Sequence, residues 1–159
     1  MQLGFFTMPI HPVGKDWRQS LREDREAFIL ADELGFVEGY VGEHTTDAAE
    51  NITSCVTFIA TLVDATKRIR LGTGTINMPN THPAAVAANI AMLDHLLDGR
   101  LIFGISPGGL MSDAEAFGNL PPTATRCSWR PSIRCWRSGP ASRRTRSKAS
   151  TGASPPSAR

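Results

Sequence analysis

Four short apolar runs begin near residues 3, 37, 69 and 101 of this 159-residue chain, a recurrence of 32 to 34 residues. Each runs into a polar loop, and the first three loops lead into stretches with apolar residues at helical spacing. A period of this length is that of one strand, one helix and short connections. Repeated units of this kind build a parallel sheet, because each crossover helix returns the next strand to the same direction. Two architectures satisfy the constraint: an open, doubly wound sheet, or half of an eight-unit barrel that needs about 250 residues when complete. In both, the loops after the strands gather on one edge, which is where ligands bind.

The first strand is expected over 3–8, followed by Pro9, Pro12 and Gly14 in a loop that holds His11. Over 17–34, Leu21, Ala27, Phe28, Ala31 and Leu34 follow helical spacing, and Gly35 suits the left-handed position that ends a helix. The second strand, 37–41, runs through Gly42 into Glu43 and His44. Thr53 or Ser54 can cap the next helix, with apolar positions at Ile52, Val56, Ile59 and Val63, and Lys67 and Arg68 at its negative end. A third strand over 69–78 leads through Asn80, Thr81 and His82 to Pro83 at a helix start. Val86, Ile90, Leu93 and Leu97 form that helix's stripe, and Asp98-Gly99 closes it. The fourth strand, 101–105, runs into Ser106-Pro107-Gly108-Gly109, with room for a helix start just beyond.

Three of the four histidines, His11, His44 and His82, thus fall in loops on the ligand edge, while His95 sits in a helix beside Asp94, where a surface role is expected. Metal-dependent hydrolysis would need His-x-His or His-Glu-x-x-His spacing, and neither occurs. Gly72-Thr73-Gly74 has only half of a dinucleotide fingerprint and continues as strand, so close packing between strands is the better reading. Gly108-Gly109 would let backbone N–H groups approach an anion. Ser106 lacks the glycine context of a nucleophile elbow.

Composition divides the chain at about residue 120. The first 120 residues hold all 15 acids against 8 basic residues, a formal charge of −7, whereas the remaining 39 hold 9 basic residues and no acid. The second part also lacks Leu, Val, Phe, Met and Tyr, so it cannot build a core and is expected to be disordered. Every Cys and Trp codon begins with TG. A one-base shift therefore turns Cys127, Trp129, Cys135 and Trp136 into Leu, Val or Met, the apolar residues an amphipathic helix needs, and a frameshift is the preferred origin of residues 121–159. The rival is a basic arm that binds nucleic acid or anionic membrane through Arg126, Arg130, Arg134, Arg143, Arg144 and Arg146, with Trp129 and Trp136 able to stack on bases. Cys55 lies in an apolar helical pattern and reads as a buried free thiol. No signal peptide or membrane-spanning run is present, and a cytoplasmic protein with no membrane partner is expected.

Gly4-Phe5-Phe6, Glu33-Leu34-Gly35-Phe36, Gly42-Glu43-His44, Gly72-Thr73-Gly74-Thr75, His82-Pro83, Leu93-Asp94-His95 and Gly99-Arg100-Leu101-Ile102-Phe103-Gly104 occur in this order over residues 1–120. Together they resemble the bacterial luciferase-like flavin-dependent monooxygenases. The resemblance implies the N-terminal half of a (β/α)8 TIM barrel, four strands and three helices, that binds reduced FMN, or in sister groups 8-hydroxy-5-deazaflavin. It implies His44 as the catalytic histidine with Glu43 as its acidic neighbour. It also implies a cofactor wall from Phe6, Met8, Gly74, Thr75, Asn77, Ser106, Gly108 and Gly109, with a cis peptide at Gly74-Thr75. The implied activity is oxygenation of a small organic substrate by O2, with reduced flavin from a separate reductase, a dimer as one option, and impaired activity in a truncated chain. A deazaflavin-dependent dehydrogenase on the same scaffold is the alternative. Thr45 stands where luciferases carry a second histidine, which implies a non-luminescent relative, and Pro107 stands where they carry a phosphate-binding arginine.

Overall fold

The computed structural model describes residues 1–120. The repeat forms a parallel sheet from β1 (Gly4–Thr7), β2 (Glu38–Val41), β3 (Arg70–Thr73) and β5 (Leu101–Ile102), and continues in a second parallel pair, β4 (Ile76–Asn77) with β6 (Ile105–Ser106). The helices are α1 (Trp17–Glu33), α2 (Cys55–Ala60), α3 (Pro83–Leu96) and α4 (Met111–Ala116). Strand order β1-β2-β3-β5 follows the chain without reversal. A doubly wound sheet reverses at a switch point, whereas a barrel winds one way, so the order selects half of a barrel.

The third and fourth expected strands are each broken in two. The Gly74–Thr75 peptide, between β3 and β4, is cis. Beside it, Thr73 Oγ1 donates to Gly104 O at 2.8 Å and accepts from Gly104 N–H at 2.9 Å, so a hydroxyl replaces the backbone ladder. Only glycine fits there: a Cβ on Gly104 would lie 2.2 Å from Thr73 O. The ladder resumes with Ile76↔Ile105 and Asn77↔Ser106, which carries both strands on to the rim.

Local chemistry sets the helix ends. Asp16 caps α1 by accepting from Arg18 N and Gln19 N, and Gly35 follows its end at φ +82°. Ser54 caps α2. Pro83 opens α3, and Val86, Ile90, Leu93 and Leu97 are all buried as their spacing predicts. Leu34 departs from expectation: it is the C-cap of α1 and is exposed, because the chain turns before that position can face the sheet.

Lys67 and Arg68 also depart from expectation. Helix α2 ends at Ala60, too early for them to lie in its last turn. Their N–H groups, with that of Ile69, instead donate to the buried Asp32 carboxylate at 2.8, 2.8 and 2.6 Å, which fastens the end of α1 to the start of β3. Burial opposes the Asp32 charge, but the three N–H donors outweigh it and hold its pKa below the usual carboxylate range.

Between sheet and helices, Phe28, Ile59, Leu62, Ile69, Leu71, Leu93 and Leu97 are fully buried. Phe5 packs on Phe28 with ring centroids 4.7 Å apart. Alternation along the strands turns the row Phe6, Tyr40 and Gly72 to the opposite, inner face, where Phe6 is 57% exposed. No helix among the described residues is long and apolar enough to cross a membrane.

Candidate active site

At the carboxyl ends of the strands a cleft of about 350 Å³ is lined by Met8, Gly42, Glu43, His44, Gly74, Thr75, Asn77, Ser106, Gly109 and Leu110. Eight of the ten residues singled out in the sequence therefore converge. The other two stand beside the cleft. Phe6 lies on the inner row below, with its ring against Gly74, and Gly108 turns its N–H to Ser106 Oγ at 3.1 Å. Gly42, quoted with Glu43 and His44 but not expected in the cofactor wall, also lines the cleft: a Cβ there would come 2.6 Å from Met8 Cγ and 3.0 Å from Gly74 O. Its bareness lets three strand ends close up.

Glu43 and His44 are neighbours in sequence but enter different networks. The Glu43 carboxylate accepts from Cys55 N–H and Cys55 Sγ–H, both at 3.0 Å, and from Asn77 N–H at 3.1 Å. Asn77 Nδ2 donates to the Glu43 carbonyl at 3.3 Å, and Ser106 Oγ donates to Asn77 Oδ1 at 3.0 Å. One chain of hydrogen bonds thus ties the ends of β2, β4 and β6 to the start of α2. Cys55, free and fully buried, has its thiol pKa pushed far up by burial and by the Glu43 charge.

His44 faces a different acid. Its Nδ1 lies 3.1 Å from Asp113 Oδ2, and its Nε2 is 3.9 Å from Glu50 Oε2. Asp113, buried in the first turn of α4, also accepts from Thr45 N–H, Thr46 N–H and Thr46 Oγ1 at 3.1, 2.9 and 2.8 Å. Burial works against its charge, but the bonds from Thr46, His44 and Thr45 prevail and keep its pKa below the usual range. An ionised Asp113 fixes the proton of a neutral imidazole on Nδ1 and leaves Nε2 as the basic nitrogen. Burial pushes the Glu50 pKa up, as do the charges of Asp47 and Asp113, while that of His44 lowers it. Neither Asp113 nor Glu50 stands out in the sequence, because no local spacing links them to His44.

The other loop histidines are engaged elsewhere, which corrects the expected convergence of three. His11 Nε2 bonds Asp24 at 3.0 Å while its Nδ1 accepts from Lys15 at 3.2 Å, which fastens the first loop to α1. His82 caps α3 by accepting from Ala84 N–H at 3.2 Å. Among the described residues, no group of three or more His, Cys, Asp or Glu side chains is placed to hold a metal ion.

The geometry agrees with comparison to known proteins. The profile described as luciferase-like monooxygenase matches residues 1–137. The chain belongs to the luciferase-like monooxygenase family. Among this family's curated members it is similar to 4-hydroxyprotoasukamycin monooxygenase of Streptomyces nodosus subsp. asukaensis, at 40% identity over 79% of this chain and 34% of that protein. It is similar to limonene 1,2-monooxygenase of Rhodococcus erythropolis at 37% identity, over 79% of this chain and 33% of that protein. Among solved structures, the oxygenating constituent of 3,6-diketocamphane monooxygenase from Pseudomonas putida, in complex with FMN, superposes with a TM-score of 0.72. The identity is 28%, over 74% of this chain and 32% of that one. This luciferase-like chain spans about a third of the length of the curated relatives it matches.

Proposed function

We propose that the cleft receives the ring system of reduced FMN and that the chain carries the N-terminal part of a monooxygenase site acting on a small organic substrate. The observation that carries the reading is His44, held by Asp113, in a cleft at the strand ends of a chain similar to an FMN-bound oxygenating constituent. The residues suit a flat heteroaromatic ring. Gly42, Gly74 and the Gly74–Thr75 peptide form a wall without bulky side chains, Met8 adds an apolar surface, and Asn77 and Ser106 add polar edges. No Lys or Arg lines the cleft, so among the described residues the phosphate is left to the backbone near Gly109.

Reduced FMN supplies the two electrons needed to place one atom of O2 in the substrate and release the other as water. The chain's own part is binding and proton control. His44, with its Nδ1 proton committed to Asp113, accepts or returns a proton at Nε2. The Glu43 carboxylate is engaged by Cys55 at the start of α2 and by Asn77 N–H on β4, so its part is to position Asn77 and, through it, Ser106. A separate reductase supplies the reduced flavin, in a cytoplasmic setting.

Residues 121–159, the subject of the frameshift reading, lie outside the described residues. An out-of-frame origin for them is part of this proposal, and sequencing the coding DNA tests it: a shifted frame with an early stop and no barrel-like continuation would end it. For the site, His44→Ala in the full chain supplied with reduced FMN and O2 is expected to lower product yield about 10²-fold. Unchanged yield would remove His44 from the mechanism, and turnover with a reduced deazaflavin in place of FMN would favour the dehydrogenase.

A further inference from the structure

A second cavity lies away from the strand ends, in the groove between α1 and α2. At about 570 Å³ it is larger than the cleft that holds His44, and within the range of small-molecule sites. Arg18, Arg22 and Arg25 line its α1 side, at the i, i+4 and i+7 spacing that puts them on one helix face. Residues 1–120 carry only 8 basic residues against 15 acids, yet three of those eight line this groove and no acid does. Arg25 Nε is committed to Thr61 O at 3.1 Å and Arg18 approaches Asp16 at 3.4 Å, whereas Arg22 has no hydrogen bond or ion pair among the described residues.

The floor is apolar, with Leu21 and the buried Phe58. A guanidinium matches carboxylate geometry, and an apolar floor matches a ring or short alkyl body.

We propose that the α1/α2 groove is a second binding site, separate from the His44 cleft, for a small aromatic or aliphatic acid. Arg22 takes the carboxylate, and Leu21 and Phe58 take the apolar body. The site requires no reaction and does not depend on flavin binding.

Isothermal titration of the full chain with benzoate, acetate and benzyl alcohol tests the proposal. The expected order of affinity is benzoate, then acetate, then benzyl alcohol. Arg22→Gln, an exposed change that leaves thermal unfolding unaltered, is expected to weaken both acids at least tenfold, and Arg22→Lys to recover part of the loss. Absence of binding, equal affinity for benzyl alcohol, or binding that survives Arg22→Gln would each overturn the proposal. The last result would assign the acid to the His44 cleft or to the basic residues beyond 120. FMN titration of Arg22→Gln, expected to match the unaltered chain, keeps this test apart from the flavin reading.

Discussion

His44 Nδ1 and Asp113 Oδ2 lie 3.1 Å apart although 69 residues separate them in the chain. The contact joins the loop after β2 to the helix after β6, and it makes the tautomer of the one cleft histidine depend on an acid from another βα unit. Replacing that acid by its amide keeps the shape and removes the charge that holds the proton on Nδ1. Asp113→Asn is therefore expected to lower turnover with supplied reduced FMN by about 10- to 100-fold, and to move the pH profile of the remaining activity. Steady-state oxygenation assays across pH check this, and a lower rate with an unmoved profile would mean that Asp113 acts only as a structural tie.

Asp32 gives a pH-dependent stability prediction with a defined sign. Its folded-state pKa is depressed, so its stabilisation is present above the unfolded carboxylate range and is lost as pH falls through the depressed value. Asp32→Asn should cost about 1–3 kcal/mol at pH 7, where three N–H donors lose a charged acceptor. The difference from the unaltered chain should shrink below about pH 4. Urea unfolding at pH 7 and pH 3 measures both.

Close packing at the strand break predicts contrasting outcomes for two glycines. Gly104→Ala would bring a methyl group within 2.2 Å of Thr73 O, a backbone atom that cannot move aside cheaply, whereas a Cβ on Gly109 meets nothing within 4 Å. Gly104→Ala is expected to destabilise by about 1–3 kcal/mol or more. Gly109→Ala should stay within about 0.5 kcal/mol, by the same unfolding measurement.

Cys55 is fully buried, and its thiol is held protonated by burial and by Glu43. Alkylation with iodoacetamide at pH 8 followed by peptide mapping should leave Cys55 unlabelled in the native chain and labelled in urea. Rapid native labelling would show that the Glu43 network opens readily.

How much of this was legible beforehand follows from the range of each signal. The 32- to 34-residue recurrence and the α3 stripe of Val86, Ile90, Leu93 and Leu97 are local patterns, and the parallel sheet and helix α3 follow them. The choice between barrel and open sheet needed the strand order, which periodicity does not carry. His44 was reachable because it lies in the loop just after a strand. His11 and His82 lie in such loops too, but nearby partners, Asp24 with Lys15 and the Ala84 N–H, engage them. Asp113, Glu50 and Asp32 act on residues distant in the chain or through backbone N–H groups, contacts that leave no spacing to read.

The central claim, that the rim cleft is a flavin site, is tested most directly by anaerobic titration of the full chain with reduced FMN, beside the variant Gly109→Phe. Gly109 lines the cleft with open space around it, so the ring should fill the cleft without disturbing the fold. The account predicts saturable binding by the unaltered chain and its loss in the variant, with unchanged circular dichroism. Binding that persists in Gly109→Phe, or no binding by the unaltered folded chain, would contradict it.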